Sequence, residues 1–413
     1  MRFLYIFETI CGKIFNWDNY PGNLYVEDKK MKDFWNKYRK IIIIAAATLA
    51  VTAGAVILAV SGKKKDKTSK TKVPEETISE NTTEASEAET ESETETVGKL
   101  YSNPLTGEPS DVDYSDVRPV AVMLNTIKQA LPQSGNSGAD IFIEIPEEGG
   151  VTRICGLYQD ITGVGTIGSV RSTREYFLSF AKSFDAILAH AGGDSWVLDE
   201  IADSGYTTMD CLTNAGGAFW RDEERLKKAS REHSLVTSSD NIRSWIDTSG
   251  IQKGHTGEDN THFDFTDELS GRMIESAESV RVKFSGYKST TFKYNSDSRK
   301  YDVYFWDNDE PYIDSGNGKQ IDVTNVIVLQ VPVWSENDAW GIMRQKYDFS
   351  GGTGFYISNG KKMEITWTKG DYNRNEEYGN PLRLYDGDGN ALKLMRGKTY
   401  ICVLGQGNDI TTE

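Results

Sequence analysis

Residues 41–60 form an unbroken run of uncharged, mostly apolar residues, and this run constrains the fold more than any other part of the sequence. A helix of this length, rising about 1.5 Å per residue, spans about 30 Å, the thickness of the hydrocarbon core of a bilayer. A secretory signal has a shorter apolar region and a small-residue cleavage site, whereas SGKKKDK follows this run at 61–67. No Cys directly follows the run to accept a lipid. The run also has no polar face, whereas a helix that packs on the core of a globular domain usually has one. We therefore predict a retained signal anchor, a single transmembrane helix.

The orientation of this helix follows from the order of the segments, because the flanking charge is balanced. Six Lys or Arg residues lie within 29–40 and six Lys residues within 63–72, so the preference of cytoplasmic flanks for positive charge gives no clear answer. A short tail, one span, a polar stalk and a large domain are typical of an exported, tethered protein. We predict that 1–40 is a cytoplasmic tail and that the C-terminal part lies outside the cell membrane. The chain starts at Met1 or at Met31, which opens a segment that is complete as an anchor.

The formal net charge of −16 is unevenly distributed along the chain. Counting Lys and Arg against Asp and Glu gives +8 for residues 1–72, −9 for residues 73–96 and −15 for residues 97–413. An acidic globular part argues against nucleic-acid binding, which requires a basic surface. Residues 61–98 are rich in Thr, Ser and Glu and poor in apolar residues, a composition that predicts a disordered acidic stalk.

The remaining residues predict two globular domains, an α+β domain at 99–270 and a mainly-β domain at 271–413. Alternating and apolar runs predict the first domain's strands at 120–124, 141–145, 151–158 and 186–189. Ser residues able to cap a helix open the predicted helices at 172–182, 195–202 and 239–246. After residue 271, short β-type runs separated by turn residues dominate the sequence, which is typical of an all-β domain.

Candidate ligand-binding residues cluster in the predicted α+β domain. DIFIEIPEEGGVTRICGLY at 140–158 reads as a β-hairpin that places Glu144 opposite Arg153, either as a cross-strand ion pair or with Arg153 lining a cleft. GTIGSVRSTREYF at 165–177 places Arg171 and Arg174 three residues apart at a predicted helix start. Free N–H groups and two guanidinium groups there favour an anion; a capped helix with solvated Arg residues is the alternative.

A predicted strand-to-helix turn, DAILAHAGGDSW at 185–196, adds His190 and Asp194 to this set. The turn lacks the third Gly of a dinucleotide-binding loop and the Gly-Lys-Ser/Thr of a phosphate-binding loop. His190 is a ligand-binding candidate or a buried structural residue. The catalytic residues, if any, remain open, and so does the question of whether the protein is an enzyme. We expect no cofactor and no metal.

The sequence resembles the YerB-like lipoproteins of Gram-positive bacteria, a family with a domain of unknown function. The resemblance covers roughly residues 100–405 and includes NPLTGEP (103–109), RPVAVMLN (118–125), PQSG (132–135), ADIFIE (139–144), EGGVTR (148–153), IGSVRSTREYF (167–177) and DAILAHAGG (185–193). FWRD (219–222) and HSLVTS (233–238) match more weakly, and NVIVLQVPV and GGTGFYISNGKKMEITW resemble the second domain of the family. The resemblance implies a membrane-attached extracytoplasmic protein with two domains and no established activity. Here a spanning helix would replace the lipidated Cys.

The order of strand, Arg-rich turn, helix, strand and Gly-Gly is also similar to that of the LytR-CpsA-Psr phosphotransferases. That resemblance implies binding of polyprenyl-pyrophosphate sugars, usually with magnesium. Arg153, Arg171 and Arg174 would then clamp the pyrophosphate, and Asp140 or Asp194 would serve on the metal side.

Four other patterns favour a structural role more than a chemical one. His255, Glu258, Asp259 and His262 fit no common zinc spacing, and DGDGNALKL at 386–394 is a better hairpin turn than calcium loop. Ser195 or Ser172 with His190 or His233 lacks the nucleophile pattern of a hydrolase. Trp334, Trp340 and Trp367 belong either to the core or to a glycan-stacking surface. Pairing of Cys155 with Cys211 stays open.

These observations predict a membrane-tethered cell-envelope protein, a binding or accessory factor with an anion or ligand cleft. The ligand-binding candidates are Glu144, Arg153, Arg171, Arg174, His190 and Asp194. The expected partners are the membrane, a cell-wall polymer or lipid-linked precursor, and envelope proteins. One alternative is a phosphotransferase or hydrolase that acts on polyprenyl-pyrophosphate-linked precursors. Another is a non-catalytic scaffold that binds proteins through the β domain.

Overall fold

The computed structural model describes residues 100–256, 260–369 and 380–413. All of them belong to one compact unit, Glu93–Glu413. Within these ranges no helix combines the length and the apolar character needed to cross a bilayer. The predicted tail (1–40), the predicted anchor (41–60) and the whole of the predicted stalk (61–98) lie outside the described residues.

The chain is built mainly from short strands. The first half contains β1 (Tyr101–Ser102), β2 (Pro109–Ser110), β3 (Val120–Asn125), β4 (Ile141–Pro146), β5 (Thr152–Tyr158), β6 (Thr166–Gly168), β7 (Ile187–His190), β8 (Met209–Asp210), β9 (Trp220–Arg221), β10 (Leu235–Ser238), β11 (Asp264–Thr266) and β12 (Glu275–Ser276). The second half contains β13 (Ser279–Lys283), β14 (Ser289–Asn295), β15 (Lys300–Phe305), β16 (Glu310–Pro311), β17 (Asp322–Val323), β18 (Asn325–Val331), β19 (Val333–Asn337), β20 (Met343–Tyr347), β21 (Gly352–Ser358), β22 (Lys361–Thr368), β23 (Arg383–Tyr385), β24 (Lys393–Met395), β25 (Thr399–Gly405) and β26 (Ile410–Thr412).

An eleven-stranded mixed sheet forms the centre of the described chain, and we call it the main sheet. Its strands follow the order β12-β22-β21-β18-β25-β4-β5-β3-β7-β8, with β23 paired to β22. The pairs β18–β25, β25–β4, β3–β7 and β7–β8 are parallel. Strands from before and after residue 270, the boundary suggested by the sequence, therefore form two adjacent blocks of one continuous sheet, and the blocks join where β25 pairs with β4. As predicted, α and β elements mix before this boundary and strands dominate after it.

Both faces of the main sheet are covered. On one face lies helix α1 (Glu175–Ser183), which buries Phe177 and Phe180 in the same cluster as Ile143 and Ile401. On the other face lies an antiparallel six-stranded sheet, in the order β16-β15-β14-β13-β26 with β17 paired to β15. Central strands covered on both faces bury nearly every side chain, which explains why β3 and β25 are buried throughout.

The described residues form three further α-helices: α2 (Ser195–Ser204), α3 (Glu223–Lys228) and α4 (Ser239–Ser249). The predicted capping residues were wrong by one position at two helices, because the caps are Asp194 for α2 and Ser238 for α4. At α1, Ser172 does not cap, and the residue at the cap position, Arg174, makes no capping bond. Helix α3, which Asp222 caps, was not predicted from the sequence.

Candidate functional site

The candidate site lies at one edge of the main sheet, which we call the carboxyl edge. Strands β3, β4, β7, β18 and β25 run in the same direction, because each is joined to the next by parallel pairing or by two antiparallel steps. Their carboxyl ends therefore meet at this edge. Arg153 lies at the start of β5 there, backbone bonds hold the segment 171–173 against the ends of β3 and β7, and Asp194 follows β7. Ligands commonly bind at such an edge in mixed and parallel sheets.

The predicted pairing of Glu144 with Arg153 was wrong by one residue. In the structure Glu144 faces Ile154 and Ile145 faces Arg153, since a three-residue turn closed by the Glu147–Val151 backbone bond replaces the four-residue loop. A shift of one residue moves a side chain to the opposite face of a sheet. Glu144 therefore points towards the six-stranded sheet, away from the carboxyl-edge site.

Arg153 and Arg174 are buried and already hold carboxylates. Arg153 lies 2.7 Å from a Glu147 oxygen and donates to the Ser172 carbonyl at 2.6 Å. Arg174 lies 2.9 Å from Glu148 and 3.7 Å from Glu147. Burial lowers the pKa of Arg153 to about 10, and the Glu147 charge opposes that shift. Burial raises the pKa of Glu147 despite these two neighbours.

The same network continues through Asp194 into the loop of the β19–β20 hairpin. Asp194 lies 3.3 Å from Arg174 and accepts a bond from the Val197 N–H. Arg344 lies 3.5 Å from Glu148 and 3.0 Å from Asp338. We call this set the buried ion cluster; its three Arg and four acidic residues are Arg153, Arg174, Arg344, Glu147, Glu148, Asp194 and Asp338. Because its carboxylates outnumber its guanidinium groups, the cluster holds loops together and offers no free positive charge to an anion.

His190 lies apart from any exposed surface. Its ring is fully buried, and its two nitrogens lie 2.9 Å from the Gly192 carbonyl and 2.8 Å from the Thr208 hydroxyl. Burial lowers the pKa of this His, although the Asp210 charge opposes the shift. Of the two interpretations left open by the sequence, the structural one fits these contacts.

Arg171 is the predicted residue with the most accessible guanidinium group. It precedes α1, which begins at Glu175, so the predicted helix face shared with Arg174 does not form. Backbone bonds to Met123 and Ala191 fix Arg171 at the carboxyl ends of β3 and β7. Its side chain is 21% exposed and pairs with Glu232, which is itself 56% exposed.

Two further arginines, which the sequence analysis missed, lie beside Arg171. Arg221 ends β9 and donates to the Arg231 carbonyl at 2.6 Å. Burial lowers the pKa of Arg221, and the nearby charges of Arg231 and Arg171 lower it further. We call Arg171, Arg221 and Arg231 the arginine patch. Glu232 is the carboxylate that pairs with it, so the patch has an excess of positive charge.

Asp140, the other acidic residue considered for the metal side, lies at the opposite end of the main sheet. It precedes β4, whereas the predicted arginines follow the end of this strand, and six strand residues span about 20 Å. Its carboxylate accepts the Gln159 N–H at 2.7 Å, and burial raises its pKa to about 6. The predicted combination of Asp140 with these arginines is therefore wrong.

The structure shows where several of the other patterns considered in the sequence lie. Asp386 closes a hairpin turn by accepting the N–H groups of Asp388 and Asn390, as predicted. Cys155 and Cys211 are free thiols, so they do not pair. Trp367 is buried, whereas Trp334 and Trp340 are exposed. Across the described part of the chain, no three His, Cys, Asp or Glu side chains are arranged to hold a metal ion.

Comparison with known proteins places both halves of the chain in one family. Residues 105–252 match the N-terminal domain, and residues 280–401 the C-terminal domain, of a protein family of unknown function described as DUF3048. The chain is 28% identical over 309 residues to a protein of Bacillus subtilis (strain 168) named "Putative lipoprotein YerB", covering 74% of this chain and 87% of that protein. A crystal structure of YerB from Bacillus subtilis aligns with a TM-score of 0.64 at 26% identity, covering 76% of this chain and all of that one.

Proposed function

Because the chain belongs to the YerB-like family, whose two domains have no assigned function, we propose that it is an envelope protein that binds a phosphate-bearing ligand through its arginine patch. The name of the Bacillus relative as a lipoprotein supports membrane attachment on the extracytoplasmic side. In this chain the apolar run at 41–60 would serve as the attachment, as a single membrane span.

The observation that carries the proposal is the contrast between the two groups of arginines at the carboxyl edge. In the buried ion cluster every guanidinium group already lies within 3.5 Å of a carboxylate oxygen. In the arginine patch, Arg221 bonds a backbone carbonyl, and the carboxylate that pairs with Arg171 lies on the exposed Glu232. Among the residues that the structure describes, three positive charges therefore meet one accessible carboxylate, within a globular part whose net charge is −15.

A phosphate group suits this arrangement better than a carboxylate ligand. Guanidinium groups bind phosphate oxygens through paired hydrogen bonds, and a diphosphate can engage two or three of them at once. In this proposal the protein is tethered to the membrane on the side where polyprenyl diphosphates and phosphate-containing wall polymers occur. Either would bind through the same groups.

We expect that replacing Arg171 by Gln weakens phosphate-ligand binding at least about tenfold, because one charge-assisted contact contributes about 1.5–3 kcal/mol. The measurement is thermal unfolding of residues 93–413 with a short-chain polyprenyl diphosphate or inorganic pyrophosphate, each with and without magnesium. A ligand at about 100 times its Kd should stabilise the protein by about 2.7 kcal/mol. Arg221→Gln should have a similar effect.

Arg243→Gln is the matched control, since Arg243 is an exposed residue on α4 outside the patch. Binding should be unchanged in this variant. If neither ligand stabilises the wild type, or if all three variants respond alike, phosphate binding at the arginine patch is wrong. Release of a product during the incubation, lost in Arg171→Gln, would instead support the phosphotransferase or hydrolase alternative.

A further inference from the structure

The hairpin formed by β19 and β20 is a separate two-stranded sheet at the carboxyl edge. Strand β20 is held to the rest of the fold by two of its residues. Tyr347 donates to the Pro146 carbonyl at 2.7 Å, and Arg344, a member of the buried ion cluster, lies 3.5 Å from Glu148. Strand β19, in contrast, is exposed along its whole length. One side of this hairpin is therefore anchored, and the other is an open strand edge.

The register of the hairpin shows which backbone groups point outward from β19. The Asp338 N–H bonds the Ile342 carbonyl and the Asp348 N–H bonds the Pro332 carbonyl, in the same register as the strand pairs. Bonded and non-bonded pairs alternate along an antiparallel ladder. Even-numbered residues of β19 therefore bond to β20, whereas Val333, Ser335 and Asn337 direct their N–H and C=O groups away from it.

Exposed apolar side chains surround this open edge. Trp334 is 41% exposed, Trp340 57% and Met343 55%, and Ile342 is also exposed. The Asp338 carboxylate accepts the N–H groups of Trp340 and Ile342, each at 2.9 Å, so the loop that carries them is held in one shape. Proteins normally protect an open, apolar strand edge because such an edge pairs with other chains.

We propose that β19 is a docking edge for an extended segment of a partner protein, which would add a third strand to the hairpin. The row of outward N–H and C=O groups matches the backbone of a strand, and Trp334 and Trp340 would pack against its side chains. A lipid surface would leave this row of backbone groups unmatched, and the hydroxyl groups of a glycan lack the regular spacing of N–H and C=O groups along a strand. A second copy of the chain is disfavoured, because each globular part carries a charge of −15.

The test exploits the outward N–H of Ser335. Proline removes this N–H and is tolerated at an outward-facing position of an edge strand, whereas alanine keeps it. Random peptides displayed on phage are selected against the full chain in a non-ionic detergent, and the affinities of the selected peptides are then measured for Ser335→Pro and Ser335→Ala. We expect affinity to fall about tenfold in Ser335→Pro and to stay unchanged in Ser335→Ala.

A second measurement needs no protein variant. Methylating every second amide nitrogen of a selected peptide removes the hydrogen bonds that the peptide donates to the carbonyl groups of β19. Of two peptides, one methylated at odd and one at even positions, one should fail to bind. The proposal is overturned if no peptide is enriched, or if the selected peptides ignore both changes. It is also overturned if the chain instead self-associates through Ser335, or binds chito-oligosaccharides or lipid vesicles through Trp340 independently of Ser335.

Discussion

Replacing Lys288 by Met is expected to lower the free energy of unfolding by about 3–5 kcal/mol, because it leaves a buried carboxylate without its cation. Lys288 and Glu144 are both fully buried, with Nζ 3.0 Å from Oε1. Thr290 and Tyr400 donate to the second carboxylate oxygen, each at 2.7 Å. This pair joins the main sheet to the six-stranded sheet, since Glu144 belongs to β4 and Lys288 directly precedes β14.

Chemical denaturation at neutral pH measures this loss. Lys293→Met is the control, because Lys293 pairs with Asp309 on an exposed face and should contribute less than about 1 kcal/mol. Adding Glu144→Gln to Lys288→Met should recover part of the loss, because the unpaired charge is then removed. Equal effects of Lys288→Met and Lys293→Met would contradict the buried ion pair.

Replacing Lys369 by Met is expected to have the opposite sign and to stabilise the protein by about 3–5 kcal/mol below pH 7. Lys369 is buried, and its Nζ donates to the Ser179 hydroxyl at 2.5 Å. Burial, together with the smaller effect of the Lys182 charge, lowers its pKa from 10.5 to about 7. Below that pH the folded protein holds a buried cation without a carboxylate partner among the described residues.

The pH dependence gives the sign of this effect independently. Between pH 7 and 10.5 the unfolded chain binds a proton at Lys369 that the folded chain has released, so wild-type stability gains from this group as pH rises. The advantage of Lys369→Met should therefore shrink from pH 7 towards pH 10.5. Lys227→Met, at an exposed lysine, should show no such trend. An advantage that stays constant over this range would contradict a buried, titrating Lys369.

The sequence predicted the strands of the first half well because both faces of the main sheet are buried. The predicted 120–124, 141–145 and 186–189 agree with β3, β4 and β7 within one residue at each end. Continuous apolar runs of this kind need no knowledge of neighbouring strands. The sequence could not show that the sheet would continue into strands of the second half, with β25 beside β4, because pairing partners are set by long-range packing.

The candidate site was predicted only in part, for reasons that concern local geometry. The Glu144 error came from the length of one turn, which decides the face of every residue after it. Helix α1 begins at Glu175, whereas the sequence predicted a start at Ser172. Arg221 and Arg231 were missed because they lie in a short strand and a short helical turn. Arg221 belongs to the family-like segment at 219–222, which was a usable signal for that residue.

The most direct test of phosphate binding at the arginine patch is nuclear magnetic resonance of the arginine side-chain Nε–H groups. Residues 93–413 are labelled with nitrogen-15 and titrated with inorganic pyrophosphate, and the signals are assigned by single Arg→Lys variants. The resonances of Arg171, Arg221 and Arg231 should shift together with one Kd, while Arg153 and Arg174 in the buried ion cluster stay in place. Shifts confined to Arg153 and Arg174, or no arginine shift at saturating pyrophosphate, would contradict the proposed site.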